Sequence, residues 1–592
     1  VLEQNTRHEL SNRRQNISLL VFCVFAMLIF TVFSSYLKTF QRNQINSDVV
    51  EYYSFIPAAF ECHDLSFTSD CPKFYWAQTT PDGKRVNKRS IGMAYMYLPF
   101  YGLSQGISSF KGKNDDGYSL QTQKMLVYGI WIYVIIGLFF LGKALYYFFN
   151  SRAVLTTLTI LILSTNLIWY TNGEPLFSHG VNFMWFSLLI YSTIKYHQQY
   201  KLWPLILISI SCSMLTIIRP NNLLLALFPI IYGIYDKESL VIKWSMIKRN
   251  YPQLMLASVV FLIPIVPQLM YWKFATGNWI YYSYQGEKFF WDRPWILDVL
   301  FSFRKGWLVY TPVMILSIIG MVVLKKSAKQ MVLPVIFIFL LFLYVTSCWW
   351  AWSYGGCFGM RPMIDVYPLL AFPLAALISV RKWYLWIPVY AFIIATGWLN
   401  IFQAGQYREG ILHYDQMNKD LYLSIWRRIK YPNDYDLKVS YPDYMKELNG
   451  TGSFYQLSDL SNSEFTMKFI RAKFVCSIDS TCQGVSANHE QAHSCDSYIF
   501  VYNSFEKKYA IRSVTSRSFW KLNKETYFID GNEPDILRAS LFEIIPLGYN
   551  KFALKAPNGF YITSTENNMS RLKADALEIN PNSYVVIRSF NH

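Results

Sequence analysis

Ile91-Gly-Met-Ala-Tyr-Met-Tyr-Leu-Pro-Phe-Tyr-Gly-Leu-Ser-Gln-Gly-Ile-Ser-Ser-Phe110 is an uncharged run about long enough to cross a bilayer, and whether it crosses sets the side of every later segment. Eleven further apolar runs surround it: 17–36, 125–141, 153–170, 176–194, 202–218, 220–235, 252–272, 307–324, 331–349, 363–380 and 383–402. With Gly92, Pro99 and several tyrosines, the Ile91 run reads as interfacial or re-entrant. The basic residues then gather on one side: Arg7, Arg13 and Arg14; Lys143 and Arg152; Lys195 and Lys201; Lys237, Lys243, Lys248 and Arg249; Lys325, Lys326 and Lys329; Arg381 and Lys382. A crossing run would invert all later loops and break the positive-inside rule. The expectation is a polytopic α-helical membrane protein of about 11 spans, with its N-terminus cytoplasmic and its C-terminus outside.

Composition agrees. The chain has 592 residues, 53% hydrophobic and 18% aromatic, too long and too apolar for one soluble domain. Its formal charge of +17 sits in short loops between apolar runs, so it reads as topology and attraction for membrane lipids, with no nucleic acid partner expected. The first span follows basic residues and lacks a small-residue cleavage site, so it reads as a signal anchor. Cys23, Cys212, Cys348 and Cys357 fall in or beside apolar runs as packing residues. A Cys62–Cys71 disulfide is expected if the first long loop is extracytoplasmic, and Cys476, Cys482 and Cys495 leave an odd thiol in the tail.

The domain plan is a membrane domain over 1–405 with an outer loop at 37–124, a connector at 406–450 broken by Pro432 and Pro442, and an all-β C-terminal domain over 451–592. In that last part Phe465-Thr-Met-Lys-Phe469, Tyr509-Ala-Ile-Arg-Ser513 and Phe552-Ala-Leu-Lys-Ala556 align. The runs at 498–502, 542–545 and 584–587 recur at nearly the same interval. Three copies of a short-strand unit predict a three-fold β-trefoil, with Gly559 in a tight turn. The last copy resembles the repeat of fascin-like trefoils, although a Gln-x-Trp sugar-binding signature is absent.

The outer face collects the unusual chemistry. Asn46-Ser-Asp-Val-Val-Glu-Tyr-Tyr53 places Asp48 and Glu51 where the first span emerges; Asp48 reads as a base or as ordinary interfacial polarity, and Glu51 as its helper or a structural partner. Arg361 follows Trp349-Trp-Ala-Trp-Ser-Tyr-Gly-Gly-Cys-Phe-Gly-Met360, whose glycines admit a ligand and whose Trp352 and Tyr354 offer sugar-stacking surfaces. Arg361 is a candidate for a donor phosphate, against the simpler reading of an intrahelical pair with Asp365. Arg304, Lys305 and Arg219 are further phosphate candidates or interface anchors. Glu174 and His179 flank a turn on the same face, as acceptor-positioning or structural groups. With two carboxylates, His179 could hold a divalent metal there, but no ligand spacing supports one, and His489, His493 and Cys495 in the tail make only a weak zinc pattern, so no cofactor is assigned.

The first span, an early acidic residue in the outer loop, the segment Gly92 to Phe100 and the many later spans resemble type C glycosyltransferases, such as protein O-mannosyltransferases and lipid A aminoarabinose transferases. The likeness covers roughly 15–405 and is one of architecture. It implies that Asp48 is the catalytic carboxylate, that the donor is a polyprenyl-phosphate sugar and that transfer inverts the anomeric centre. The acceptor would be an extracytoplasmic protein Ser or Thr, a lipid or a polysaccharide. The implied location is the bacterial cytoplasmic (inner) membrane, with the C-terminal domain periplasmic. The rival readings are a transporter or flippase for lipid-linked glycans, and a non-catalytic glycan-binding receptor.

Overall fold

The computed structural model describes residues 2–68, 77–80, 85–380, 383–450, 454–460, 464–469, 474–477, 485–489, 497–504, 506–564 and 571–589. The chain forms two compact units, Val1–Leu412 and His413–His592.

The first unit is helical, apart from a hairpin of β1 (Ala77–Thr79) and β2 (Arg85–Asn87). Its helices begin with α1 (Leu2–Tyr36), α2 (Asp48–Phe60), α3 (Gly92–Phe110), α4 (Leu120–Leu145), α5 (Ser151–Leu163), α6 (Leu167–Asn172), α7 (His179–Gln199) and α8 (Leu202–Ile218). Among the described residues, five helices are long and apolar enough to cross a membrane: Asn12–Tyr36, Leu120–Leu145, Lys329–Cys348, Arg361–Ile378 and Trp386–Arg408. Tyr251–Leu262 and Val266–Thr276 make a sixth if read as one span bent by 43°.

Several expected spans are interrupted, and each interruption has a local cause. The run 153–170 breaks between α5 and α6, where the Asn400 Nδ2 donates to the carbonyls of Leu163 (3.2 Å) and Thr165 (2.8 Å). That amide satisfies backbone acceptors that a broken helix would otherwise leave unpaired in an apolar setting. Pro264 lies at the bend of the sixth candidate, and Pro312 separates Trp307–Tyr310 from Ile315–Ser327; each lacks the N–H that would continue the helix. The run 220–235 winds as a 3₁₀ stretch, Pro220–Leu227, before Phe228–Ile231.

The Ile91 run forms α3, which is not among the helices apolar enough to span. One face buries Met93, Tyr97, Tyr101 and Ser104, while Leu103 and Phe110 stay exposed, as in an amphipathic helix. Close helix contact is clearest at Gly320 in Ile315–Ser327: a Cβ there would lie 1.9 Å from the carbonyl oxygen of Pro373 in Tyr367–Ile378.

The second unit starts with short helices, Lys419–Ser424, Tyr435–Lys438 and Tyr444–Asn449, and continues as strands. These are β3 (Glu464–Phe469), β4 (Phe474–Ser477), β5 (Val485–His489), β6 (Tyr498–Asn503), β7 (Lys508–Ser513), β8 (Phe519–Leu522), β9 (Ile529–Glu533), β10 (Leu541–Gly548), β11 (Lys551–Lys555), β12 (Tyr561–Ser564), β13 (Leu572–Ala576) and β14 (Tyr584–Ser589). Antiparallel pairing runs β3–β6–β7–β10–β11–β14 and returns from β14 to β3, closing a ring. The hairpins β4–β5, β8–β9 and β12–β13 hang from β3, β7 and β11, and β5, β9 and β13 touch one another. Phe465, Phe500, Ile511, Trp520, Phe542, Leu554 and Ile587 fill the core. The aligned sequence repeats are β3, β7 and β11, and their companions are β6, β10 and β14. Gly559, at φ +86°, turns the chain from β11 into β12.

Candidate functional site

Asp48 and Glu51 occupy the first turn of α2, where the exposed amide dipoles of a helix start favour negative charge. Between β2 and α3, Asn87 binds the incoming chain to that turn. Its Nδ2 donates to the Glu51 carbonyl and to Ser54 Oγ, both at 2.9 Å, and its Oδ1 accepts from the Arg89 amide at 2.9 Å. Arg89 is thereby aimed at both carboxylates. Its Nη2 lies 2.8 Å from Asp48 Oδ1, its Nε 3.0 Å from Glu51 Oε2, and its Nη1 donates to the Tyr284 hydroxyl at 2.6 Å. The flat cation also faces the rings of Tyr52 and Tyr284.

From the other end of the unit, Arg361 reaches the second oxygen of Asp48, with Nη2 3.1 Å from Oδ2. Gly355 and Gly359, with φ of 65° and 62°, shape the loop that delivers it. Its guanidinium lies 5.0 Å from the centre of the Phe177 ring, and its Nε is buried without a hydrogen-bond partner among the described residues. The simpler reading, an Arg361–Asp365 pair within one helix, does not form. Residues 361–366 wind as a 3₁₀ helix, so positions four apart do not share a face. Asp365 instead takes His179 Nδ1 at 2.8 Å, Asn182 Nδ2 at 3.0 Å and Asn222 Nδ2 at 2.9 Å. Arg219 Nη1 donates to His179 Nε2 at 3.1 Å. Because a guanidinium only donates, His179 is held with its proton on Nδ1, toward Asp365.

The two carboxylates of α2 are driven in opposite directions. Burial pushes Asp48 up, but Arg89, Arg361, Arg219 and Lys88 outweigh it and hold the group well below the usual carboxylate range. At Glu51 burial prevails over Arg89, with Asp48 adding repulsion, and its pKa rises to about 7. One helical turn therefore carries a firmly ionised carboxylate and one that exchanges a proton near neutrality. Lys88 pairs with Glu287, to which Trp350 Nε1 also donates at 3.0 Å, so the surrounding cations are largely neutralised as they stand.

Of the residues singled out in the sequence, Asp48, Glu51, Arg361, Arg219 and His179 converge. Glu174 accepts from Trp169 Nε1 at 3.0 Å, and burial raises its pKa despite the nearby charges of Arg361, Lys305 and Arg42. Arg304 packs over Trp352, 5.7 Å from the ring centre, and Lys305 donates to the Cys357 carbonyl. These two cations thus brace the 349–360 loop. Tyr354, with φ 57°, donates to the Thr346 carbonyl at 3.2 Å. Sequence reasoning passed over Arg89; the Lys88-Arg89 doublet just before the Ile91 run was the available signal.

Cys62 is disulfide-bonded, while Cys71 lies outside the described residues, as do Cys482, His493 and Cys495. Among the described residues, no group of three His, Cys, Asp or Glu side chains is arranged to hold a metal ion. The chain matches no protein-family model, and no curated protein matches it.

Proposed function

We propose that the helical unit is a membrane glycosyltransferase that moves a sugar from a polyprenyl-phosphate donor to the hydroxyl of an extracytoplasmic acceptor: a protein Ser or Thr, a lipid or a polysaccharide. The observation that carries this reading is the meeting of Asp48 and Arg361, far apart in the chain, at 3.1 Å. A transferase of this kind needs a carboxylate beside a cation cluster, so that the acceptor is activated where the lipid phosphate departs.

In the step proposed, the acceptor oxygen forms a bond to the anomeric carbon and its proton passes to Asp48. The bond from that carbon to the phosphate oxygen breaks, and the lipid phosphate leaves with the electron pair. Arg361 and Arg89 stabilise that phosphate, with Lys88 and Arg219 behind them. The donor phosphate competes with Asp48 for both guanidiniums, and its arrival loosens the ion pairs that make Asp48 a weak base. Glu51, titrating near neutrality, supports Asp48 as the acceptor of the proton. His179 and Glu174 position the acceptor, and Trp352 and Tyr354 line the sugar side.

The second unit supports the same reading as a β-trefoil, since six strands close a ring and three hairpins meet at one end. Its proposed task is to bind or position the acceptor outside the membrane. The N-terminus is then cytoplasmic and the membrane is the bacterial inner membrane.

One observation favours the transporter reading instead: Asp48 bridged by two arginines is also what a charge-neutralised substrate path looks like. A transfer assay with synthetic prenyl-phosphate sugars separates the two. Wild type should transfer sugar to an acceptor, and Asp48→Asn should lose at least about a hundredfold in rate while still binding the lipid-linked sugar. Binding without transfer in the wild type, on every acceptor class, would favour transport, and unchanged transfer by Asp48→Asn would remove Asp48 from the chemistry.

A further inference from the structure

At the far end of α7 lies a second place where cations converge. His179, at the Asp48 cluster, starts α7, and Lys195 comes sixteen residues later, which at 1.5 Å per residue puts it roughly 24 Å away. A cavity of about 690 Å³ opens there between the N-terminal half of α1 and the C-terminal ends of α4 and α7. Lys143 and Lys195 both line it, with the amides of Gln15, Asn16 and Gln198 and the hydroxyl of Tyr146. Among the described residues, no acidic side chain lines the cavity, and neither lysine has a hydrogen-bonding or carboxylate partner; Lys143 Nζ lies 5.8 Å from the centres of the Phe139 and Tyr191 rings.

Two lysines facing one polar cavity repel each other and give up hydration with no carboxylate in return. A bound anion would supply that counter-charge, and amide and hydroxyl donors around two ammonium groups suit the tetrahedral oxygens of a phosphate. What lies beside the cavity selects the source. On α1, Leu20, Val21 and Val24 are 56%, 65% and 64% exposed, an apolar flank that suits acyl chains. We propose that this cavity binds the phosphate headgroup of an anionic phospholipid, whose acyl chains lie along α1. Basic pockets between membrane helices are built to take such headgroups. The site is separate from the Asp48 cluster, and the inference does not depend on the transferase reading.

The test uses the full chain, delipidated in detergent and titrated with phosphatidylglycerol or phosphatidylcholine, with bound lipid counted by native mass spectrometry. The expected result is one phosphatidylglycerol retained per chain, at least about tenfold tighter than phosphatidylcholine. Lys143→Gln with Lys195→Gln should abolish that preference. Lys143→Arg with Lys195→Arg should keep it, which shows that charge rather than folding is being read. Lys201→Gln with Lys325→Gln removes the same charge from exposed positions and should also keep it. Equal binding of the two lipids, retention of the preference by the first pair, or its equal loss in the exposed pair would overturn the proposal. A competition arm with inorganic phosphate separates the two sources of the anion: phosphate that binds while phosphatidylglycerol does not would overturn the lipid assignment.

Discussion

Asp48 and Glu51 share a helical turn and one arginine, yet they respond to pH with opposite sign. Asp48 is held below its ordinary value, so its contribution to stability is present above about pH 4 and lost as pH falls below it. Glu51 is raised to about 7, so its contribution is complete at low pH and is lost as pH climbs through 7. Of these two carboxylates only Glu51 titrates across pH 5 to 8, and its ionisation should cost up to about 3 kcal/mol of stability over that window. Glu51→Gln should flatten the curve. Thermal unfolding of both proteins in detergent measures this, and a flat wild-type curve would mean that Glu51 is already ionised at pH 5. The Asp48–Arg361 pair makes a separate prediction. Arg361→Gln leaves part of the Asp48 charge unanswered and should cost about 3 kcal/mol. Asp48→Asn combined with it should recover a good part of that loss. Strictly additive costs would show that the pair contributes no coupling.

At the scale of elements, helix contacts are set by where a side chain is missing. Gly320→Ala puts a methyl group 1.9 Å from the Pro373 carbonyl oxygen, so Ile315–Ser327 and Tyr367–Ile378 must move apart. The expected cost is about 1–3 kcal/mol. Gly102→Ala on α3 meets nothing within 4 Å and should stabilise by about 0.5 kcal/mol. Equal effects of the two changes on the unfolding temperature would refute close packing at Gly320. The apolar runs showed in the sequence where helices lie, because burial and lipid contact both demand apolar side chains. Their breaks did not show, because the group that makes the α5–α6 break tolerable, Asn400, lies more than two hundred positions away. The same distance hid the site. Asp48 and Arg361 each stood out alone, but the pairing of Arg361 with Asp48 rather than Asp365 depends on a 3₁₀ winding that apolar periodicity does not reveal. In the second unit the repeat spacing located six strands in register, whereas closure of β14 onto β3 is a long-range pairing that no local pattern encodes.

For the whole molecule, the decisive quantity is which side each loop faces, because the proposed lipid-phosphate donor and outside acceptor require the Asp48 cluster on the outer face. The basic loops predict that face through the positive-inside rule, and cysteine accessibility measures it. Lys113 and Lys326 are exposed and stand in different predicted compartments, the first outside and the second inside. Ser119 is the poorer reporter for the outer loop, since its side chain accepts from the Thr122 amide to cap α4. Cys23, Cys212, Cys348 and Cys357 are buried or half-buried free thiols and Cys62 is disulfide-bonded, so with Cys476, Cys482 and Cys495 of the tail replaced by serine the background labelling by an impermeant maleimide should be small. Lys113→Cys should be labelled in intact cells and Lys326→Cys only after permeabilisation. Labelling of both from outside would mean an even number of crossings between them, and α3 or one of the broken helices would then have to be reassigned. Labelling of Lys326→Cys alone would invert the molecule. The Asp48 cluster would then face the compartment that holds nucleotide sugars, and the lipid-phosphate donor would lose its physical basis.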